Sequence, residues 1–283
     1  MDLSEKSIVW VNRYGDQLAS YRYRAQIPAQ EVAKINGYTT AINDGDADIV
    51  VFGKPNKEEL PMARQAKADG AKIIVDFADD HFQRDDSYHK FAELADGIVT
   101  ASTIMRGRIY DYVKRDSCVI NDPYEFDECK PHAEGDDYLW FGHIGNFDEV
   151  SMVSPFMGER KLRVVSGPAH VPGVIPWSVK NLKAAFEQSN IVILPVRSAR
   201  HHSSPNRLIN SIRAGCFPIC MEHPAYKEFN HFVWVGNFLT GLRWADCFKT
   251  DLNGLVAEAQ DYIRDRYSPS AIGKQWADYL DSV

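Results

Sequence analysis

The sequence predicts an α/β protein made of two consecutive parallel-sheet domains. Short apolar, β-branched runs alternate along the whole chain with segments of helical periodicity. The alternation breaks once, at a polar stretch over 127–137 that holds Pro131, Gly135 and several acids, and then starts again. The composition agrees: 45% hydrophobic and 25% charged residues in 283 positions suit one large or two medium globular domains.

A first strand is expected at 7–12 and a second at 47–53, bounded by Gly53 and Pro55. A helix at 58–69 stops at Gly70, and a third strand follows at 71–76. Residues 87–95 read as a helix that packs Phe91 and Leu94, and 97–100 as a fourth strand. Ser102 and Thr103 cap a helix running to about Lys114, and 118–120 is a short fifth strand that ends at Asn121-Asp122-Pro123. After the break, strands are expected at 138–142, 161–167, 190–196, 217–220 and 232–235, with a helix at 179–188. Two helices, 253–267 and 270–280, close the chain, the second amphipathic through Ile272, Trp276 and Leu280. Ligands of parallel sheets bind outside the carboxyl ends of the strands, so the loops after each strand are expected to face a cleft between the domains.

Composition also limits function. A formal charge of −7 gives a nucleic-acid partner no support, because such binding needs a basic surface, although a local basic pocket fits that charge. No run approaches the ~18 apolar residues of a membrane-crossing helix, and the first residues carry acids and lead straight into a strand, unlike a signal peptide. The five cysteines, at 118, 129, 216, 220 and 247, form no closely spaced ligand pair. Their odd number suits a reducing compartment, here taken as the cytoplasm, and Cys216 and Cys220 read as buried thiols.

The segment with most chemistry lies between the strand at 190–196 and Pro218. A loop carrying Arg197, Arg200, His201, His202, Ser203 and Ser204 leads to Pro205, then to Leu208, Ile209 and Ile212 at helical spacing, with Gly215 placed to end the helix. A strand, a polar loop and a helix N-terminus together outline an anion site, because free backbone N–H groups and the positive end of the helix dipole point at the loop. Arg207 falls in the first turn, where a cation opposes the dipole; an anion bound beside it would explain the placement, and a solvated basic loop is the other reading.

These residues resemble the donor-binding segment of GT-B glycosyltransferases, in particular the large retaining group that uses nucleotide-activated sugars. The likeness rests on Pro205-Asn206-Arg207-Leu208 opening a helix, on Ala214-Gly215 with Pro218-Ile219 after it, on Phe141-Gly142-His143 at the place of a first-strand glycine turn, and on the run from Ala95 to Ser102. It implies two Rossmann-like parallel-sheet domains facing a cleft, with an acceptor domain over 1–127, a linker over 128–137, a donor domain over 138–266, and a C-terminal helix over 267–283 crossing back to the first domain. It also implies donor contacts from Gly142, His143, Arg197, Arg200, Ser203, Ser204, Asn206, Arg207 and Asn210. Where the family carries a characteristic pair of glutamates, this chain has His202 and Asn210. Asn210 still offers an amide to ribose hydroxyls, whereas His202 offers a donor without a carboxylate's charge.

Two further clusters belong to the acceptor side. The loop after the first strand brings Arg13, Tyr14, Tyr21, Arg22 and Arg24, arginines among tyrosines that suit stacking on sugars or phosphate contact, or else form the edge of a strand. Asp76, Asp79, Asp80 and His81 follow the third strand directly, where functional groups collect. They read as a base or acceptor contact, as oxygen ligands for a divalent cation, or as helix caps. The resemblance implies that no metal or other cofactor is required, a nucleoside-diphosphate sugar being the co-substrate. The expected activity is therefore transfer of a sugar from such a donor to a glycan, lipid or other small acceptor, with retention. A catalytically silent binding module of the same fold is the alternative, and a sugar-nucleotide epimerase using Asp76, His81 and His202 is a third.

Overall fold

The computed structural model describes residues 6–35, 37–167, 172–196 and 203–283. They form two compact units: the described residues of 6–123, 203–204 and 267–283 make one, and those of 124–196 and 205–266 the other.

In the first unit, β1 (Lys6–Val11) leads into three helical turns: α1 (Ala19–Tyr21), a π-helical turn (Arg22–Gln26) and α2 (Ile27–Val32). Then come β2 (Tyr38–Ile42), β3 (Ile49–Gly53), α3 (Leu60–Ala68), β4 (Lys72–Phe77), α4 (Ser87–Leu94), β5 (Gly97–Thr100), α5 (Thr103–Val113) and β6 (Cys118–Val119). All six strands are parallel, in the order β2-β1-β3-β4-β5-β6. The central ones read as continuous apolar runs because both faces are covered: Val9, Phe52, Val75 and Phe91 fill one side, and Trp10, Val51, Ile74 and Trp276 the other. Caps set the helix starts. Asn56 and Glu59 form a capping box ahead of α3, and the Ser102 hydroxyl accepts the Met105 N–H at α5.

The second unit comprises β7 (Tyr138–His143), α6 (Asp148–Met157), β8 (Leu162–Gly167), β9 (Ile175–Pro176), α7 (Val179–Glu187), β10 (Ile191–Leu194), α8 (Asn206–Arg213), β11 (Phe217–Cys220), β12 (Trp234–Val235), α9 (Phe238–Cys247) and α10 (Lys249–Tyr267). Its parallel strands run in the order β12-β11-β10-β7-β8-β9, and α6, α9 and α10 cover one face through Val153, Leu242 and Val256. The final helix, α11 (Pro269–Ser282), belongs to the first unit. There Trp276 meets Trp10 edge-on with ring centroids 6.0 Å apart, and Ile272 and Leu280 are fully buried. The closing helix thus supplies part of the first core, as expected. Among the described residues no helix is long and apolar enough to cross a membrane.

The structure adds elements that the sequence pattern hides. β2 is an edge strand whose Thr39 is exposed, so its apolar signal is thin. α6 contains Pro155, and α9 contains Gly241, where an added Cβ would sit 2.4 Å from Trp234 Cδ1; each residue lowers the helical signal. The stretch 128–137, expected as a connector, is tied to the second unit: Gln260 Nε2 donates to the Cys129 carbonyl at 2.8 Å, and Asn253 Oδ1 accepts the Ala133 N–H at 2.7 Å.

Candidate functional site

In the second unit four of the expected donor residues, Gly142, His143, Asn206 and Arg207, lie at the carboxyl edge of the sheet. β7 ends in Gly142 and His143, and the exposed His143 accepts the Gly145 N–H on Nδ1 at 3.0 Å, capping the turn that leads to α6. Gly142 is a tight position, since an added Cβ would lie 3.1 Å from the Trp140 ring, which would have to shift by a few tenths of an ångström. Its carbonyl accepts the Ser166 hydroxyl from the neighbouring strand at 2.9 Å.

α8 begins on the same edge, with Asn206 and Arg207 in its first turn and Gly215 behind it at φ +82°. The Arg207 side chain is 17% exposed. Its Nη1 donates to Glu149 Oε2 at 3.0 Å and lies 3.4 Å from the Phe141 carbonyl. Glu149 is fully buried in the first turn of α6, and sequence reasoning did not single it out because that helix was not foreseen.

Asn210 departs from expectation. It is 1% exposed, its Nδ2 donates to the Asn206 carbonyl at 2.8 Å, and its Oδ1 accepts the Glu125 N–H at 2.9 Å. The amide therefore ties the chain at Glu125 to α8 and is buried. Arg197, Arg200 and His202 lie outside the described residues.

In the first unit, the acids at and after the end of β4 take different partners. Asp76 is fully buried and takes a two-point fork from Arg24, Nε to Oδ2 at 2.7 Å and Nη2 to Oδ1 at 2.8 Å. Arg24 Nη1 also donates to the Ile120 carbonyl at 2.6 Å and to Asp122 Oδ1 at 3.2 Å, and the guanidinium lies over the Trp276 ring. Burial works against its charge, but the charges and hydrogen bonds of Asp76 and Asp122 more than offset that and hold its pKa above the ordinary value. Asp122 in turn accepts the Ser204 hydroxyl. Arg24, expected at an acceptor loop, is therefore a core residue, and Asp76, expected as a catalytic acid, is its counter-charge.

Arg22 is likewise buried, donating to the Asp16 carbonyl at 2.5 Å, because the π-helical turn points it inward. Asp80 pairs with Arg108 Nη1 at 2.5 Å and is mostly buried. Asp79 and His81 stay half-exposed, Asp79 with Lys54 Nζ at 2.7 Å and His81 Nε2 at 4.0 Å. Lys54 also lies over the Tyr14 ring, and its backbone takes φ 53°, a left-handed conformation unusual for a lysine. Arg13 is half-exposed with Nε 3.9 Å from Glu59, Tyr21 is partly exposed at the end of α1, and Ser203 is partly exposed beside Ser204. Of Asp76, Asp79, Asp80 and His81, Asp79 and His81 keep the exposure that contact with a substrate demands. Among the described residues no group of three or more His, Cys, Asp or Glu side chains converges as metal ligands would.

No protein-family model matches the sequence, and no curated protein matches it either. Solved structures do. Anabaena Alr3699/HepE in complex with UDP-glucose superposes with a TM-score of 0.67 at 10% identity, over 98% of this chain and 100% of that one. S. aureus TarM, solved with fondaparinux, α-GlcNAc-glycerol and UDP, gives 0.62 at 10% identity over 89% of this chain and 58% of its own. A Listeria monocytogenes protein assigned as a UDP-N-acetylglucosamine 2-epimerase gives 0.60 at 8% identity over 99% and 96%. Likeness at such identities speaks for architecture, and together with the two six-stranded parallel sheets it shows that this chain has the GT-B fold.

Proposed function

We propose that this protein is a glycosyltransferase that moves a sugar, with retention of anomeric configuration, from a nucleoside-diphosphate sugar to a small acceptor such as a glycan or lipid. The observation that carries the reading is the set of groups at one edge of the second unit: a strand ending in Gly142 and His143, and a helix opening with Arg207 held in place by Glu149. UDP in the HepE and TarM structures supports a uridine diphosphate donor. Retention rests on the sequence resemblance alone.

Breaking the bond between a sugar and a diphosphate builds negative charge on the leaving phosphate. The α8 N-terminus faces that charge with backbone N–H groups, contributing about 0.3–1 kcal/mol and up to about 2 kcal/mol when partly buried. Arg207 adds a cation in the first turn, and His143 offers a ring nitrogen at the end of β7. In the first unit the half-exposed Asp79, paired with Lys54, and His81 are the candidates to meet an acceptor hydroxyl. The five free cysteines suit a reducing, cytoplasmic setting.

A second reading is favoured by Asn210, whose amide is spent inside the protein: a module that binds a sugar nucleotide without turning it over. Incubation with a panel of UDP- and GDP-sugars, read by release of the nucleoside diphosphate, separates the two. Release with one donor, lost in Arg207→Ala, is the expected result. Binding without release would support the silent module, and no binding to any member of the panel would overturn the donor assignment.

A further inference from the structure

We infer that Glu149 is a positioning residue for the donor's diphosphate, acting through Arg207; the inference rests on the donor-site reading above. A carboxylate with no exposed surface is costly to keep unless it is paired, and Arg207 Nη1, 3.0 Å away, is a partner of opposite charge. Glu149 also sits in the first turn of α6, where the helix dipole favours a negative charge.

The consequence lies in what the pair joins. Glu149 follows the turn after β7 that carries Gly142 and His143, and Arg207 opens α8, so one ion pair ties together the two segments proposed to hold the diphosphate. The Phe141 carbonyl takes the same Nη1 at 3.4 Å. An arginine fixed on one edge is pre-organised for a phosphate. A free one must give up several rotamers to bind, which weakens the contact. A Glu149 that merely competed with phosphate for the guanidinium is the opposing case. In that case its removal would tighten binding; for a positioning residue, removal loosens it.

Calorimetric titration of the full chain with UDP tests this, using wild type, Glu149→Gln, Arg207→Ala and the double variant, with uridine as a ligand that lacks phosphates. The expected result is a loss of roughly tenfold in UDP affinity for Glu149→Gln, the double variant no weaker than Arg207→Ala alone, and uridine affinity unchanged throughout. Unchanged or tighter UDP binding by Glu149→Gln overturns the inference and leaves the donor site standing. Failure of the wild type to bind UDP overturns the donor reading itself. Should Glu149→Gln fold poorly, the wild type still decides: the Arg207 Nε–H resonance, assigned by its absence in Arg207→Lys, should be sharp without ligand and shift on adding UDP. A resonance broad and exchange-averaged in the free protein would contradict a held guanidinium.

Discussion

At the scale of single residues, Arg24 shows how burial decides a role. It gives two hydrogen bonds to Asp76, one to Asp122 and one to the Ile120 carbonyl, and its side chain is 1% exposed. Replacing it with methionine keeps volume but strands Asp76 as a buried charge, and should destabilise the first unit by about 3–5 kcal/mol in urea unfolding. Arg24→Met combined with Asp76→Leu should recover much of that loss; a single variant as stable as wild type would refute the pairing. The sequence showed three acids clustered around the end of β4 but not their partners, which come from far along the chain: Arg24 for Asp76, Lys54 for Asp79, Arg108 for Asp80. Each acid has its own cation, and Asp76 is fully buried while Asp79 is half-exposed, so a run that looks uniform in sequence serves different ends.

At the scale of elements, close approach of backbones sets the sharpest constraints. Gly273 on α11 faces α2, where an added Cβ would lie 2.4 Å from Glu31 Cβ and 3.4 Å from its backbone. Gly273→Ala should therefore cost about 1–3 kcal/mol, as over-packing does, and lower the melting temperature. Gly254 on α10 meets nothing within 4 Å, so Gly254→Ala should instead stabilise by about 0.4–1 kcal/mol, chiefly through the unfolded chain. Equal effects from the two substitutions would mean that α2 and α11 do not pack as described. Central strands and long helices were legible because their apolar residues repeat at a fixed period. The helical turns at 19–32 were not: a π-helical turn breaks the period, and Arg22 and Arg24, placed alternately with tyrosines, imitate an exposed edge while being buried. α6 stayed hidden behind Pro155, and Glu149 with it.

At the scale of the whole molecule, the order of strands in each sheet follows from parallel pairing and helical crossovers, which is why the α/β class could be read before any contact was known. The return of α11 to the first core was implied by the family resemblance, and Ile272, Trp276 and Leu280 are the residues it buries there. Less legible was which candidate residues face solvent. Gly142, His143, Asn206 and Arg207 share one edge of the second sheet, whereas Asn210 turns inward because the backbone at Glu125 takes its amide. The central claim is that this edge binds a nucleoside diphosphate through Arg207. Thermal unfolding with a panel of nucleoside diphosphates, for wild type and Arg207→Ala, tests it most directly. The account predicts that one nucleotide at a hundredfold excess over its Kd stabilises the wild type by about 2.7 kcal/mol and that the variant loses most of that shift. No shift with any nucleotide, or an equal shift in the variant, would contradict it.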